Sequence, residues 1–482
     1  MIAFSYVKFL LGPILLGLAL LMLAPCAVAW HIDSPDLKAF LISEAATVVA
    51  ALILTISRPK QRPKLRVRDM FLLTNLSWVT VCAFGALPFI FSHTVGSFTD
   101  AVFESVSGAT TTGATVMTGL DSLPKDILLW RSMMQWVGGL GIIALGASVL
   151  PFLRIGGMRL FQTESSDFSE KTFPHARRIL NRLLLVYLAL SVACALGYWV
   201  AGMSLFDAIN HAMTTVSTGG FSTHDTSIAY FDSVAIELVA LVFMLLAAMP
   251  FMLYLPIILG RPTTLLRDGQ VRSMFGIYFS VVALLVIWLT VTEQINVSGA
   301  FREVAFNVIS IATTTGYVSA DYTSWGSFAV VVFFFLTFVG GCSGSTSGGI
   351  KIFRFNISSV MFGETVQRLL HPSATFSRVM QGRPLTDEIV ASVMAFSLAY
   401  AGTVGIAATL LAAAGNDYVT SFSAAATAAA NVGPGIGDTI GPAYNFAVLT
   451  EPSKWILCVT MLLGRLEIFT VLILLTPAFW RD

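Results

Sequence analysis

The chain contains about ten long apolar stretches, and these constrain its fold more than any other feature. A helix that crosses a bilayer needs about 20 consecutive apolar residues. The stretches lie at Phe9–Trp30 and Ala39–Ser57 and near 70–92, 128–152, 183–203, 233–259, 274–292, 327–355, 388–414 and 455–479. We therefore expect an all-α polytopic membrane protein with about ten spans.

The composition excludes the soluble alternatives. Of the 482 residues, 56% are hydrophobic and only 11% are charged, whereas soluble domains carry about 25% charged residues. The net charge of +1 without a basic tail argues against a nucleic-acid partner. The five cysteines are scattered and odd in number, so we expect neither a disulfide framework nor a zinc site.

The first stretch has a second interpretation. It follows Lys8 and ends in Cys26-Ala-Val-Ala, which also fits a cleaved signal peptide. However, the apolar stretch is longer than the usual signal-peptide core of about 7–15 residues. We therefore expect it to be a span.

Basic residues predict the orientation, because Lys and Arg concentrate on the cytoplasmic side of membrane proteins. Six of them lie between Arg58 and Arg68, directly after the second stretch. Further basic groups at 154–182, 261–272 and 354–383 fall on the same side if the chain has ten spans. The predicted outer loops contain fifteen acidic and five basic residues. We expect both termini in the cytoplasm and an outer vestibule that attracts cations.

After the first two stretches the chain repeats itself four times. Each unit has a long apolar stretch, a short semi-apolar segment, a glycine turn and a second long stretch. The turns are Thr110–Gly113, Ser217–Gly220, Thr313–Gly316 and Asn431–Gly433. The expected units are an N-terminal two-helix domain at 1–69 and repeats at 70–160, 161–265, 266–370 and 371–482.

The short segments before the turns predict re-entrant half-helices. At about 12–15 residues they cannot cross a bilayer, and non-helical backbone at membrane depth survives only inside protein or beside water. Asp100, Asp207 and Glu303 mark three of the expected helix starts, where acids act as caps. Each helix would direct a negative C-terminal end at the turns, and a ring of carbonyls there can replace the hydration shell of potassium. The sequence therefore predicts four helix–pore loop–helix repeats around one cation path.

Two further features are unusual inside the expected spans. The segment 340–349 holds five glycines inside an expected span, which favours an unwound loop over a kinked, closely packed helix. Arg465 lies near the middle of the last expected span, where a charge costs at least about 2.5–3.5 kcal/mol. It either pairs with Glu467 or faces the path, and we favour the path.

The four turns and the segment Gly340–Lys351 resemble the Trk/Ktr/HKT superfamily of potassium transporters over nearly the whole chain. The two leading spans match the extra pair that Trk subunits have and Ktr subunits lack. In this superfamily a filter glycine in each repeat supports potassium selectivity, and a serine in the first repeat accompanies sodium transport in some plant members. Here Gly113, Gly219, Gly316 and Gly433 match, which implies potassium.

The resemblance also implies the ion-binding and gating residues. The filter would comprise Thr111, Thr112, Gly113, Thr218, Gly219, Gly220, Thr314, Thr315, Gly316, Asn431, Val432 and Gly433. The gate would comprise Gly340, Gly341, Cys342, Ser343, Gly344, Ser345, Thr346, Ser347, Gly348, Gly349, Lys351 and Arg465. Asn431, Val432 and Pro434 depart from the threonine-rich pattern, so we expect an uneven ring and weaker selectivity than in a symmetric channel.

The resemblance further implies a multi-pass protein of the bacterial inner membrane with K⁺ as the transported ion and no organic cofactor. It implies a homodimer that works with a cytosolic, nucleotide-binding, TrkA-like regulatory ring. Flux down the gradient and symport with another ion both remain open. A sodium-permeable transporter of the same superfamily is the alternative.

Two segments resemble enzyme motifs but lack residues that those motifs require. Gly344-Ser-Thr-Ser-Gly348 has threonine where a nucleophile elbow needs serine. Lys351 does not follow the second glycine of a phosphate loop, and the six histidines are dispersed. We expect no enzymatic activity.

Overall fold

The computed structural model describes residues 4–56, 66–148, 173–258, 260–261, 263–292, 296–374, 378–380 and 383–481, with backbone alone at 145–148, 173–177 and 383. The described chain is almost entirely helical. Its strands are two residues each, β1 at Val379–Met380 and β2 at Arg383–Pro384, and they pair antiparallel. The prediction of an all-α fold is confirmed.

The first two apolar stretches form a helical hairpin, α1 at Phe4–His31 and α2 at Leu37–Ile56. The two helices pack along each other, and α1 also contacts the first repeat. The buried face of α1 is apolar, with Leu15 and Met22 fully enclosed. The hairpin is therefore joined to the first repeat rather than isolated.

Each of the four repeats contains a short helix of 12 to 16 residues that directly precedes a glycine turn. The first repeat has α3 (Val67–Gly85), α4 (Leu87–Ser92), α5 (Phe98–Ala109) and α6 (Lys125–Ser148). The second has α7 (Phe173–Val200), α8 (Leu205–Val216), α9 (Val234–Ala247), α10 (Tyr254–Ile258) and α11 (Thr263–Arg267). The third has α12 (Gly269–Thr292), α13 (Val297–Ala312), α14 (Ser327–Leu336) and α15 (Ile352–Leu370). The fourth has α16 (Asp387–Ala413), α17 (Tyr418–Ala430), α18 (Glu451–Arg465), α19 (Phe469–Leu472) and α20 (Pro477–Trp480).

The short helices α5, α8, α13 and α17 begin with side-chain caps. Ser97, Ser204, Asn296 and Asp417 each accept a hydrogen bond from a backbone N–H of the first turn, which satisfies an otherwise unpaired donor. Asp100 and Asp207 lie in the first turn, as predicted, although serines make the caps. The placement of Glu303 at a helix start is wrong, because α13 begins at Val297.

Two stretches predicted as single spans are broken. Helices α9 and α10, with the turn before α10, bend by 92° after Ala247, and α18 and α19 bend by 105° after Arg465. Pro250 cannot continue the first ladder, and Glu467 and Ile468 have positive φ at the second break. Among the described residues, seven helices are long and apolar enough to cross a membrane, or nine if each bent pair is one span.

Matching positions in the repeats share the same environment. Phe103 on α5 and Phe306 on α13 align in the sequence, and both are fully buried. Phe103 packs against Phe446, with ring centroids 5.7 Å apart. Between helices in a bilayer, such packing stabilises the fold by close van der Waals contact rather than by removal from water. These phenylalanines thus hold the short helices against their neighbours.

Candidate functional site

The four short helices end in four turns of one conformation. The residue two places before the key glycine lies in the left-handed region in every turn: Thr111 (φ 53°), Thr218 (52°), Thr314 (59°) and Asn431 (55°). The glycine that follows also has positive φ: Gly113 (83°), Gly220 (77°), Gly316 (82°) and Gly433 (110°). The fourth turn therefore keeps the backbone shape of the others. Its Asn431 suits that shape better than a β-branched threonine does.

The four turns touch one another in a closed cycle, which we call the ring. A Cβ placed on Gly113 would lie 2.2 Å from the carbonyl oxygen of Gly219 in the second turn. On Gly220 it would lie 1.9 Å from that of Thr315. On Gly316 it would lie 2.0 Å from that of Val432, and on Gly433 2.8 Å from that of Thr112. Only glycine permits this approach of backbone to backbone.

The ring corrects the register of the second repeat. The sequence comparison places Gly219 beside Gly113, Gly316 and Gly433. In the structure Gly220 has the positive φ and touches the next turn, and Gly219 supplies the carbonyl before it. Two adjacent glycines leave the register open in the sequence, and backbone geometry decides it.

The turns are buried where four helix ends converge. Helices α5, α8, α13 and α17 run directly into them, and the side chains of Thr112, Thr218 and Thr315 are fully enclosed. A helix C-terminus carries about half a negative charge. Four such ends around one ring favour a cation at its centre.

Hydroxyl groups tie the turns internally and to each other. The Oγ1 atoms of Thr110 and Thr112 lie 2.7 Å apart, and those of Thr313 and Thr315 lie 2.9 Å apart. Asn431 Nδ2 donates to Thr112 Oγ1 over 2.9 Å. A non-glycine residue in a sparse backbone region costs about 1–3 kcal/mol, and these contacts help to hold the strained turns.

A polar side chain nine residues before the key glycine braces the chain beyond each of the first three turns. Glu104 accepts from Val116 N over 3.1 Å, and Asn307 Nδ2 donates to Ser319 Oγ over 3.0 Å. His211 Nε2 lies 2.9 Å from Ser222 Oγ. The fourth repeat has Ala424 at this position, and the neighbouring Ser423 donates to the carbonyl of Ile436 over 3.2 Å. The shared spacing of nine residues becomes apparent in the sequence only once the ring identifies Gly220 as the key glycine of the second repeat.

Helix α6 adds a buried ion pair between the first two turns. Arg131 Nε donates to Glu104 Oε1 over 2.8 Å, and both side chains are at most 1% exposed. The guanidinium also donates to the Ser222 carbonyl and to Thr115 Oγ1, each over 3.1 Å. It lies 4.2 Å from the ring centroid of Phe221.

Gln135, one helical turn further along α6, holds the second turn directly. Its Nε2 donates to the Gly219 carbonyl over 2.6 Å, and its Oε1 accepts from Phe221 N over 3.0 Å. Because the Gly219 carbonyl oxygen also contacts Gly113, the Gln135 side-chain amide stabilises the contact between the first and second turns. The sequence offered no separate signal for Gln135 or Arg131.

A cavity opens on one side of the ring, and we call it the mouth. All four key glycines line it: Gly113, Gly220, Gly316 and Gly433. Its charged or titratable lining residues are Arg131, His224, Asp225 and Tyr444. Asp100 pairs with Lys454 over 2.6 Å, and Glu237 pairs with Arg302 over 2.8 Å. These ion pairs compensate the charges of Asp100 and Glu237, and the vestibule that attracts cations stays a prediction.

His224 joins two acidic side chains at the mouth. Its Nδ1 contacts Asp121, and its Nε2 lies 3.6 Å from Asp207 Oδ1. Burial alone would lower the pKa of His224, but hydrogen bonds and charge from the two aspartates raise it overall. The hydrogen bond from His224 lowers the pKa of Asp121. This cluster therefore favours a protonated imidazole beside the mouth.

On the opposite side of the ring, the loop 337–351 separates α14 from α15. Its backbone reaches two short-helix ends and one turn: Gly349 N donates to the Ala430 carbonyl over 2.9 Å, and Gly348 N donates to Thr314 Oγ1 over 2.7 Å. Thr346 Oγ1 donates to the Val216 and Ala247 carbonyls over 3.2 and 3.1 Å. The loop therefore lies directly beneath the ring.

The remaining loop residues fix its course. The Gly340 carbonyl accepts a hydrogen bond from the Tyr278 hydroxyl, and Cys342 N donates to the Ala248 carbonyl. Ser343 N donates to Gln270 Oε1, and the Gly344 carbonyl accepts from Phe251 N. Ser345 Oγ donates to the Cys342 carbonyl within the loop. A Cβ on Gly341 would lie 2.9 Å from the Ala248 carbonyl oxygen, and one on Gly348 would lie 2.1 Å from that of Ala430. Ser347 Oγ has no partner among the described residues. The glycines permit close backbone packing, and the Ser345 hydroxyl satisfies one carbonyl within the loop.

Arg465 is buried beneath the ring and only partly paired. Its Nη1 donates to the Thr346 carbonyl over 2.8 Å, while Nε and Nη2 have no hydrogen-bond partner in the described part of the chain. The interpretation as a pair with Glu467 is wrong. Glu467 instead contacts Arg354 and lies 3.6 Å from Lys351 Nζ.

These four residues, Lys351, Arg354, Arg465 and Glu467, form what we call the inner cluster. All four side chains are buried. Three positive groups oppose one negative group, and Arg354 also lies 3.5 Å from the ring centroid of Phe396. The cluster therefore places net positive charge beside the loop 337–351.

Comparisons with known proteins agree with this geometry. The TrkH family model, described as a cation transport protein, matches residues 37–481. The chain is 46% identical to the Trk system potassium uptake protein TrkI of Halomonas elongata, over 97% of this chain and 95% of that protein. It is 40% identical to the Trk system potassium uptake protein TrkH of Escherichia coli K12, over 88% of each. The crystal structure of the potassium transporter TrkH from Vibrio parahaemolyticus superimposes with a TM-score of 0.93 at 37% identity, with both chains fully covered.

The relatives are transport proteins rather than enzymes, and their likeness extends over nearly the full length of this chain. The fold, the ring and the broken helices all lie within the matched region. The chain belongs to the TrkH family of cation transport proteins.

Proposed function

We propose that the chain takes up potassium ions across the inner membrane of a bacterial cell, as the membrane subunit of a Trk system. The closed ring of four glycine turns carries this proposal. Four helix C-termini direct partial negative charge at it, and backbone carbonyls can replace the hydration shell of the ion. Trk potassium uptake proteins are 38–46% identical to this chain over nearly its full length.

The ion passes from the mouth through the ring. The predicted filter residues provide the carbonyls: Thr111, Thr112 and Gly113; Thr218, Gly219 and Gly220; Thr314, Thr315 and Gly316; Asn431, Val432 and Gly433. The fourth turn keeps the common backbone shape, but its side chains differ, and Val432 lacks the hydroxyl of Thr112 and Thr315. We therefore propose a potassium preference weaker than that of a symmetric channel. A potassium-over-sodium permeability equal to that of a tight potassium channel would contradict this.

The loop 337–351 and Arg465 form the gate. In the present arrangement the loop bonds to the ends of α8 and α17 and to the third turn, so it obstructs the path beneath the ring. The Arg465 guanidinium adds electrostatic repulsion at the same level. Opening requires the loop to release Val216, Ala430 and Thr314. Shortening the loop should raise basal flux, and unchanged flux would count against a gate.

The mouth faces the outside and both termini lie in the cytoplasm. The positive-inside rule supports this orientation. Much of the basic sequence behind it, including Arg58–Lys64 and Arg154–Lys171, lies outside the described residues. A homodimer and a cytosolic, nucleotide-binding, TrkA-like ring complete the proposed assembly, and the relatives' membership in Trk systems supports such a partner.

Growth rescue tests the function. The gene is expressed in a bacterium that lacks potassium uptake, at limiting potassium, with sodium as the control ion. We expect rescue by the wild type and by Gly276→Ala, where a Cβ has open space, but not by Gly316→Ala. Rescue by both variants would contradict the ring as the path, and stimulated sodium uptake without potassium rescue would favour the sodium alternative.

A further inference from the structure

Tyr317 directly follows the key glycine of the third turn, and its side chain reaches into the second repeat. The residue is fully buried. Its Oη lies 2.5 Å from Thr214 Oγ1 and 3.1 Å from Thr215 Oγ1, and it donates to the His211 carbonyl over 3.1 Å. These three partners lie near the C-terminal end of α8, which leads into the second turn. One phenol therefore connects the third turn to the helix of the second.

Both ends of Tyr317 are fixed beside backbone that supports a turn. Ser310 Oγ on α13 donates to the Tyr317 carbonyl over 2.7 Å, and the Ser310 carbonyl accepts from Gly316 N over 3.2 Å. At the other end, the Thr214 carbonyl accepts from Gly219 N over 2.8 Å. The side chain thus joins the helix end that supports the third turn to the helix end that supports the second.

The contact between the second and third turns is the closest in the ring. A Cβ on Gly220 would lie 1.9 Å from the Thr315 carbonyl oxygen. Gln135 stabilises the contact between the first and second turns, and Asn431 that between the fourth and first. Tyr317 supplies the matching polar support between the second and third turns.

The phenol hydroxyl is not explained by the filling of space alone. The residues directly after the key glycines are Ala114, Phe221, Tyr317 and Pro434, so the second repeat fills the matching position with a ring that has no hydroxyl. A buried hydroxyl costs free energy unless it is hydrogen-bonded. Ser107 and Thr427 match Thr214, six residues before their key glycines, and their hydroxyl oxygens have no hydrogen-bond partner among the described residues. The bond between hydroxyls at Tyr317 is therefore a local addition to the repeat.

A further tyrosine extends the same network. Thr215 Oγ1 donates to the His211 carbonyl over 2.6 Å, and Tyr198 Oη on α7 lies 2.8 Å from Thr215 Oγ1. Tyr198 is fully buried. Connected hydrogen bonds in a buried site strengthen one another and favour a single arrangement. The network therefore holds α7, α8 and the third turn in one fixed relation.

We propose that Tyr317 is a positioning residue whose hydroxyl fixes the spacing between the second and third turns and thereby sets the preference of the ring for potassium over sodium. The proposal rests on the proposed function of the ring as the cation path. Tyr317 acts through the two turns and does not contact the ion. A ring of carbonyls selects among cations by the space and the field that it offers, so a ring that loses this support discriminates less.

The ratio of potassium to sodium uptake in proteoliposomes tests the proposal. Tyr317→Phe keeps the buried ring and removes only the hydroxyl. We expect the ratio to fall about two- to tenfold, the range to which one net hydrogen bond corresponds. Tyr400→Phe is the matched control, since Tyr400 is also buried and its hydroxyl has no hydrogen-bond partner among the described residues. A wild-type ratio in Tyr317→Phe would overturn the proposal, as would an equal fall in Tyr400→Phe.

Thr214→Val removes one partner of the hydroxyl from the other side. We expect it to lower the ratio as well, and to add little in the double variant with Tyr317→Phe, because both changes break the same bond. Fully additive effects would mean that the two side chains act separately and would overturn the proposal. Should Tyr317→Phe not fold, an unchanged ratio in Thr214→Val alone would overturn it.

Ion-dependent melting temperatures separate this proposal from the proposed function. An ion that binds the folded protein stabilises it in proportion to its affinity, so the wild type should melt at a higher temperature in KCl than in NaCl of equal concentration. We expect a smaller difference in Tyr317→Phe. The same difference in the variant, with a lower melting temperature in both salts, would indicate a merely structural role and overturn the positioning role alone. No difference in the wild type would contradict the proposed function itself, and the positioning role with it.

Discussion

Gly220 touches Thr315 so closely that a Cβ at Gly220 would lie 1.9 Å from the Thr315 carbonyl oxygen. The same relationship recurs between each turn and the next around the ring. It identifies Gly220, rather than Gly219, as the counterpart of Gly113, Gly316 and Gly433. The pseudo-fourfold order of the path depends on four such contacts.

Gly220→Ala should therefore disrupt the ring more than Gly219→Ala does. The first Cβ meets a backbone oxygen and requires an unfavourable φ, whereas the second meets the side chain of Gln135. We expect Gly220→Ala to reduce the potassium-to-sodium uptake ratio in proteoliposomes about tenfold or more, as a loss of about 1.4 kcal/mol in discrimination would. Gly276→Ala is the unaffected control. A larger effect of Gly219→Ala would refute the register.

Removing the charge of Arg465 should increase basal flux. At about 8 Å and an effective dielectric constant of about 20, one charge repels a passing cation by about 2 kcal/mol, which corresponds to roughly a 30-fold change in rate. We expect Arg465→Ala to approach this increase in ⁸⁶Rb⁺ flux without any regulatory partner. Arg368→Ala, at an exposed position on α15, controls for loss of a positive charge. Identical flux in Arg465→Ala and the wild type would remove Arg465 from the gate.

The Glu104–Arg131 pair should be strongly coupled. Breaking a buried ion pair on one side costs about 3–5 kcal/mol, because the remaining charge is left unpaired. Glu104→Gln and Arg131→Met should each lower the free energy of unfolding by about this amount, and the double variant by less than the sum. Thermal or denaturant unfolding in detergent measures the cycle. Strictly additive losses would mean that the two side chains act separately.

His224 should make the mouth sensitive to pH. The two aspartates raise its pKa above the ordinary 6.5, so its stabilising contribution is complete below 6.5 and is lost as the pH rises through the raised value. His224→Gln should flatten the dependence of melting temperature on pH in the range where this contribution is lost. His371→Gln, at an exposed position, should keep the wild-type slope. A wild-type slope in His224→Gln would contradict the cluster.

The fold could be predicted from the sequence wherever one pattern was dominant, either a long apolar stretch or the recurring glycine turn. Apolar length predicts the hairpin α1–α2, and the recurring glycine turns predict the short helices before them. The length of an apolar stretch cannot reveal the breaks after Ala247 and Arg465, because the segments on both sides of each break are apolar. At the first break the loop 337–351 donates hydrogen bonds to the Ala247 and Ala248 carbonyls, and at the second Arg465 donates to the Thr346 carbonyl of the same loop.

The candidate site was predictable in its turns but not in its supports. Gly113 and Gly316 share a repeated pattern, whereas Gly219 and Gly220 are adjacent and ambiguous until the backbone is seen. Glu104 and Arg131 are ordinary charged residues in the sequence, 27 positions apart. Only the packing of α5 against α6 brings them together and removes Glu104 from the expected acidic vestibule.

The ring as a cation path can be tested directly by crystals grown with Rb⁺ in place of K⁺. Anomalous scattering locates the ion without reference to flux or regulation. We predict a peak on the axis of the ring, among the carbonyls of Thr112, Gly219, Thr315 and Val432. An empty ring under saturating Rb⁺, with the ion bound elsewhere, would contradict the central claim.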